Sequence, residues 1–283
     1  MLSYAAKTDV GNKRSNNEDC YLASPELSLW IMADGVGGQD AGEVASQIVC
    51  NVIKSEIQSG QSLEDAIQMA HQAVKVSPAE GVGQSGMAST VVAMLVHGSD
   101  YQISWVGDSR AYLWRAGEIS QLTHDQSLVQ RLVDENVITA EQALDHPRRN
   151  LVIQALGQEN LTAVEVETVR GTFEENDQIL LCSDGLSDYV SDQAIADIVT
   201  VGPDLQTTVD KLISAALATE GKDNITVLAV NMKEMERQET LQMSAVNAQG
   251  NSTDNLDKPT WPWVLAAAVI LSVLAWVVGS EYL

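Results

Sequence analysis

Three aspartates sit where apolar runs meet turns, and this placement limits the folds open to the chain. Leu29-Trp30-Ile31-Met32-Ala33 is continuously apolar and stops at Asp34. Ile179-Leu180-Leu181-Cys182 stops, after Ser183, at Asp184. At the third place the order reverses: Asp223-Asn224 comes first and Ile225-Thr226-Val227-Leu228-Ala229-Val230 follows. Short apolar runs bounded by turn residues predict buried strands. In antiparallel neighbours the end of one strand lies beside the start of the next. All three carboxylates can therefore converge at one sheet edge. That arrangement suits a hard divalent cation, which takes several oxygen ligands from separate segments.

Other segments alternate helical and strand patterns. Residues 41–58 carry a helical stripe of Val44, Ile48, Val49, Val52, Ile53 and Ile57, and residues 63–76 carry a second of Leu63, Ala66, Ile67, Ala70 and Val74. Further helices are expected at 193–199 and 205–218, and strands at 90–96, 101–106, 111–114, 178–182 and 224–230. Runs of strands with paired helices predict an α+β fold, helices packed on a sheet-on-sheet core, and not a doubly wound parallel sheet.

The chain has 283 residues, with 39 acidic against 16 basic and a net charge of −23. Such acidity repels a phosphate backbone, so no nucleic-acid partner is expected. Cys20, Cys50 and Cys182 are widely spaced and form no CxxC pair, which argues for reduced thiols and against a zinc site or disulfide framework. Residues 1–9 lack a basic stretch followed by an apolar core, so the globular part is expected in the cytoplasm. The composition divides the chain into a domain at 1–232, a polar linker at 233–260 and an uncharged apolar segment at 261–279. Trp261, Trp263, Trp276 and Tyr282 flank that last segment, as amphipathic rings do at membrane interfaces, and Lys258 precedes it. Its length predicts one C-terminal transmembrane helix, a tail anchor that holds the domain on the cytoplasmic face of the membrane.

HExxH, Walker A and GxSxG patterns are absent. Gly81-Val82-Gly83-Gln84-Ser85-Gly86 satisfies GxGxxG, but a helical pattern precedes it and a strand pattern follows, the reverse of a dinucleotide site. It reads as a turn. More informative is Arg14-Ser15-Asn16-Asn17-Glu18-Asp19, a guanidinium and two carboxylates within six residues. Beside a cation site, a guanidinium grips phosphate oxygens bidentately.

Seven segments then appear in a familiar order. They are Asp9-Val10-Gly11-Asn12-Lys13-Arg14 running into Asn17-Glu18-Asp19; Ala33-Asp34-Gly35-Val36-Gly37-Gly38; Gly86-Met87-Ala88-Ser89-Thr90; Val106-Gly107-Asp108-Ser109-Arg110; residues 150–157; Ser183-Asp184-Gly185-Leu186; and Asp223-Asn224-Ile225-Thr226. In these the chain resembles the bacterial branch of the PPM (type 2C) metal-dependent Ser/Thr protein phosphatases, over residues 3–231. The resemblance implies an α-β-β-α sandwich of two antiparallel sheets flanked by helix pairs. It implies hydrolysis of phosphoserine and phosphothreonine on proteins by a metal-activated water, without a phosphoenzyme, and two Mn²⁺ or Mg²⁺ ions. Asp34 would bridge them, Asp184 and Asp223 would complete one site, and the Gly35 carbonyl and Glu18 would serve the other. Asp19 would orient water and Arg14 would bind phosphate. Asp108 matches a third metal site described in bacterial members, although Gly107-Asp108 also suits a hairpin turn.

Val36 departs from those members that carry a leaving-group His after Asp-Gly, and His124 and His146 are candidate stand-ins. Ala88-Ser89-Thr90 departs mildly from a Gly-Thr-Thr turn. The implied partners are phosphoproteins, among them a membrane-associated Ser/Thr kinase and its targets. Two other readings remain: a catalytically silent PPM-like binding module, and a hydrolase of small phosphoesters.

Overall fold

The computed structural model describes residues 2–38 and 41–232. The linker expected at 233–260 and the membrane helix expected at 261–279 lie outside the described residues. Among the described residues no helix is long and apolar enough to cross a membrane.

In chain order the elements are β1 (Leu2–Asp9), β2 (Asp19–Ser24), β3 (Leu29–Val36), α1 (Ala41–Gln58), α2 (Leu63–Val76), β4 (Ala88–Ser89), β5 (Val91–His97), β6 (Asp100–Val106), β7 (Arg110–Arg115) and β8 (Glu118–Gln121). They continue with α3 (Leu128–Asp134), α4 (Ala140–Leu144), β9 (Glu167–Thr172), β10 (Gln178–Cys182), α5 (Asp184–Ser187), α6 (Asp192–Thr200), α7 (Leu205–Leu217) and β11 (Ile225–Met232). One sheet runs β1-β11-β10-β7-β8 and the other β2-β3-β5-β6-β9, with the short β4 paired to β3; every pairing is antiparallel.

Alternation of side chains along each strand explains why these runs are apolar throughout. On β3, Leu29, Ile31 and Ala33 pack with Val49 and Ile53 of α1 and Leu63 and Ile67 of α2. Trp30 and Met32 point the other way and meet Ile179, Leu181, Leu228 and Val230 of the opposite sheet. On β11, Ile225, Val227 and Ala229 pack under Ile195 of α6 and Val209, Leu212 and Ile213 of α7. Three apolar layers therefore stack as helices, sheet, sheet, helices. Each fully buried aliphatic side chain contributes about 1.5–3 kcal/mol. Helix starts are fixed locally: Ser62, Ser191 and Asp204 each accept a bond from the backbone N–H three residues on.

The expected helices at 41–58 and 63–76 fall at those bounds, and the central strands differ only at their ends. Gly81, Gly83 and Gly86 all adopt positive φ in the loop before β4, the turn that the context predicted. The excursion between β8 and β9 escaped the periodicity reading because neither α3 nor α4 has a fully buried residue. Without a buried stripe there is no 3.6-residue signal to find.

A buried histidine fastens part of this excursion. His71 of α2 is fully buried; its Nδ1 accepts from the Gly157 N–H at 3.0 Å and its Nε2 meets the Leu161 carbonyl at 3.3 Å. Those partners require a neutral ring, and burial, reinforced by the charge of Lys75, lowers its pKa below the ordinary 6.5. An unfolded chain takes up this proton below that value while the folded one resists, so the contribution is complete above it and lost as pH falls. Thermal melts at pH 7.5 and 5.5 should show that His71→Gln lacks this one unfavourable contribution, so its change in stability on acidification should be more favourable than that of the wild type under the same conditions.

Candidate metal centre

The predicted carboxylates meet where corresponding edges of the two sheets come together. Asp34, near the end of β3, pairs with Asp19 at the start of β2. In the other sheet Ser183, just past β10, donates its N–H to the Thr226 carbonyl at 3.1 Å, which brings Asp184 alongside Asp223. One side chain joins the two edges. Asp19 Oδ2 accepts from Thr226 Oγ1 at 2.6 Å and from Ser183 Oγ at 2.9 Å, across the sandwich. Asn224 fixes the adjoining loop: its Oδ1 accepts from the Glu18 N–H at 2.8 Å, and its Nδ2 donates to the carbonyls of Val10 at 3.0 Å and Asn16 at 2.9 Å.

Glycines allow the segments to close up here. A Cβ on Gly35 would stand 1.9 Å from the Gly42 carbonyl oxygen, and one on Gly185 would stand 1.8 Å from that of Asn224. At Gly42 it would strike Glu18 Oε1 at 2.4 Å, so glycine in the first turn of α1 leaves room for that carboxylate.

The resulting electrostatics are costly. Burial, then the charges of Asp19, Asp184, Asp108 and Asp223, hold the Asp34 carboxyl well above its usual range. Burial, with Asp108, Asp188 and Asp223, does the same to Asp184. Asp19 is pushed up to about 6 by burial, against the opposing hydroxyl bonds. Asp108 is pushed up to about 7 by burial and by Asp125 and Asp188. Asp19 Oδ1 and Asp184 Oδ1 are buried with no hydrogen-bond partner. Orphaned, mutually repelling hard oxygens fit divalent cations, which would satisfy both deficits at once. Among the described residues no three His, Cys, Asp or Glu donors already close on one point. The carboxylates share a field without forming a finished cage.

Arg14 stands at the rim, Nη2 at 2.8 Å from Asp223 Oδ2 and Nη1 at 3.5 Å from Glu18 Oε2, with 45% of its side chain exposed. It is placed to reach both the ligand set and solvent. Gly107, at φ 108°, makes the turn between β6 and β7, so Gly107-Asp108 serves the hairpin and also delivers a carboxylate close enough to perturb Asp184. His124 is instead bonded to Asp134 through Nε2 at 2.8 Å, and His146 Nδ1 accepts from the Arg148 N–H. Neither candidate stand-in is paired with the metal-edge carboxylates. Val36 is 47% exposed beside β4.

Several supporting roles were not read from the sequence, although Thr90, Ser109, Arg110 and Asn150 lie within the ordered motifs. Thr90 Oγ1 accepts from the Asp34 N–H at 3.2 Å and contacts Ser109 Oγ at 2.7 Å, so two hydroxyls brace the Asp34 backbone. Asp188, at the C-terminal end of α5, accepts from Asn150 Nδ2 at 2.9 Å. Arg110 clasps Asp125 with bonds of 2.6–3.0 Å behind Asp108. The available signal was a polar residue inside an apolar run, as with Thr226 and Ser183.

With this geometry in view, comparisons with known proteins agree. The family model described as protein phosphatase 2C matches residues 12–226. The serine/threonine protein phosphatase PstP of Mycobacterium tuberculosis is 36% identical over 277 residues, 95% of this chain and 52% of that protein. The chain thus spans about half the length of the PstP proteins it matches. The serine/threonine phosphatase stp of Listeria welshimeri is 34% identical over 82% of this chain and 96% of its own length. Among solved structures, the catalytic domain of PstP in complex with two manganese ions superimposes with a TM-score of 0.71 at 35% identity, covering 82% of this chain and 99% of that one. Stp1 of Staphylococcus aureus gives 0.76 at 32% identity, over 83% of this chain and 96% of that one. The chain belongs to the protein phosphatase 2C family, and the two antiparallel sheets with their helices are the fold of that family.

Because the raised carboxyl pKa values mark a cost borne above about pH 7, metal-free protein should gain stability on acidification from pH 8 to 6, as protons relieve the repulsion. Mn²⁺ should do the same at fixed pH. At a hundredfold excess over its dissociation constant it adds about 2.7 kcal/mol, or about 5–10 °C in Tm for a domain of this size. That increment, read by thermal melts with Mn²⁺ and with EDTA, should shrink between pH 8 and 6 and again in Asp184→Asn.

Proposed function

We propose that this chain is a metal-dependent Ser/Thr protein phosphatase that hydrolyses phosphoserine and phosphothreonine on proteins at the cytoplasmic face of a membrane. The observation that carries the reading is the convergence of Asp19, Asp34, Asp184 and Asp223 from two sheets, with Arg14 at the rim. Two Mn²⁺ or Mg²⁺ ions held by Asp34, the Gly35 carbonyl, Asp184, Asp223 and Glu18 would supply Lewis-acid polarisation of the phosphate ester and a lowered pKa for water. Asp108, whose charge bears on both Asp184 and Asp34, is a further ligand candidate.

The protein groups divide the remaining work. Arg14 carries a planar fork of donors and grips two phosphate oxygens, which orients the ester toward the buried edge. Asp19 keeps one oxygen tied by two hydroxyls, so its free Oδ1 has a fixed direction in which to hold an attacking water and accept a proton. An edge open at Arg14 admits a side chain carried on a protein surface. The apolar segment at 261–279, flanked by tryptophans, supports a membrane location, and a membrane-associated Ser/Thr kinase and its targets are the partners that location favours.

The test is phosphate release from a phosphothreonine peptide by the full chain. Release should require Mn²⁺, stop with EDTA, and fall about a hundredfold or more in Asp184→Asn, since cation stabilisation of the transition state is worth several kcal/mol. A folded, metal-loaded protein that releases nothing would instead be a silent binding module. Greater activity on small phosphoesters than on phosphopeptides would point to a metabolite hydrolase. Deleting residues 259–283 should move the protein from the membrane pellet to the supernatant with phosphate release retained.

A further inference from the structure

Beside the metal edge lies a groove of about 560 Å³, between α3 and α4 on one side and α5 and the start of α6 on the other. Its size falls in the range of specific ligand sites. It is continuous with the catalytic edge, because Asp184 lines both. Its walls are held by side chains: Asn150 Nδ2 bonds Asp188 at 2.9 Å and Arg149 faces the same carboxylate at 3.7 Å, which fastens the α3–α4 excursion to α5.

The two walls differ in chemistry. The α3–α4 side presents Val133 and Leu144, the latter 69% exposed although it is a large aliphatic residue. The opposite side is acidic. Both cations that line the groove already face carboxylates, Arg110 at Asp125 and Arg149 at Asp188. Asp192, at the start of α6, is left exposed in this wall, with the Tyr112 hydroxyl on Oδ1 at 3.0 Å. An occupant complementary to both walls has an aliphatic group and a positive charge. Arg110, which reaches the same Tyr112 hydroxyl at 3.0 Å, is already paired with Asp125, so the charge left for an occupant at Asp192 is negative and disfavours an anion.

We infer that this groove seats the stretch of phosphoprotein flanking the phosphorylated residue, and that it selects a stretch carrying an aliphatic side chain next to a lysine or arginine. The inference rests on the phosphatase reading above, since it is the phosphorylated residue that would sit at Arg14. Val133 and Leu144 cover the aliphatic side chain, and Asp192 receives the cation. Both are specificity contacts outside the set of residues that hold the metals or the phosphate, so their effect falls on KM and leaves the chemical step unchanged.

The experiment uses the full chain with Mn²⁺ and phosphothreonine peptides that differ only in two neighbouring residues, Leu-Arg, Leu-Glu or Ala-Ala, placed on each side of the phosphothreonine in turn. On one side, Leu-Arg should exceed Ala-Ala by about tenfold in kcat/KM and Leu-Glu by about threefold less than Leu-Arg, through KM, the changes expected for covering a leucine and for an exposed ion pair. Leu144→Asp should erase the leucine preference, and Asp192→Lys should turn the arginine preference into one for glutamate. Turnover of p-nitrophenyl phosphate, which is too small to reach the groove, should be unchanged in both. If a charge-reversed variant also loses that turnover, Asp192→Asn decides, because it keeps an acceptor for Tyr112 and should lose only the arginine preference. Equal kcat/KM for all peptides with p-nitrophenyl phosphate turnover intact, or preferences that survive these substitutions, would overturn the inference. Absence of all metal-dependent turnover in the unaltered chain would instead bring down the phosphatase reading, and this inference with it.

Discussion

Mutual repulsion among buried carboxylates is the constraint around which this fold is arranged. Asp19, Asp34, Asp108 and Asp184 lie in surroundings that favour their neutral forms, chiefly through desolvation and then through one another. A charge taken from water costs several kcal/mol unless it is compensated. Folding accepts that cost at one edge because three apolar layers lie behind it, each with many fully buried aliphatic side chains. Divalent cations are the compensation that the donor chemistry specifies.

The same edge shows how rigidity is supplied without a preformed cage. Hydroxyl groups of Thr226, Ser183, Thr90 and Ser109 hold carboxylate or backbone positions from behind, and Asn224 bonds three separate backbone groups of the 10–18 segment. Each bond contributes about 0.5–1.5 kcal/mol net, and somewhat more where a carboxylate accepts. Their value lies more in direction than in energy. Asp19 can present only Oδ1 to the site because Oδ2 is occupied twice. The glycines complete the arrangement, since at Gly35 and Gly185 any side chain would overlap a neighbouring carbonyl.

Much of this was legible in the sequence because burial on both faces leaves a plain mark. A strand covered by helices on one side and a second sheet on the other is apolar at every position, and an aspartate that ends such a run stands out. Asp34, Asp184 and Asp223 were visible for that reason, and the ordered motifs around them carried the family. The local structure of the 122–166 excursion was not visible, although residues 150–157 stood among the ordered motifs. Its two short helices have no fully buried residue, and its contacts to the core come from scattered residues, Leu156 and Val164 among the apolar ones and pairs such as His71 with Gly157 and Asn150 with Asp188 among the polar. Such pairings are 86 and 38 residues apart in sequence, with no periodicity to betray them. His124 and His146 show the converse: a titratable residue in a plausible segment proved to be bonded elsewhere.

By itself, the sequence determined which strands are buried, where the helical stripes fall, which carboxylates end apolar runs, and to which family the motifs belong. These are local properties, written in the spacing of apolar residues and in the turn chemistry that interrupts them. Only the tertiary structure decided that Asp19 reaches across the sandwich to Thr226 and Ser183, that Arg14 lies against Asp223, and that an amphipathic groove opens beside Asp184. Those relations depend on how two sheets register against each other and how a loop of more than forty residues packs over their edge. Long-range pairings of that kind are set by the fit of whole surfaces, which no short window of sequence contains.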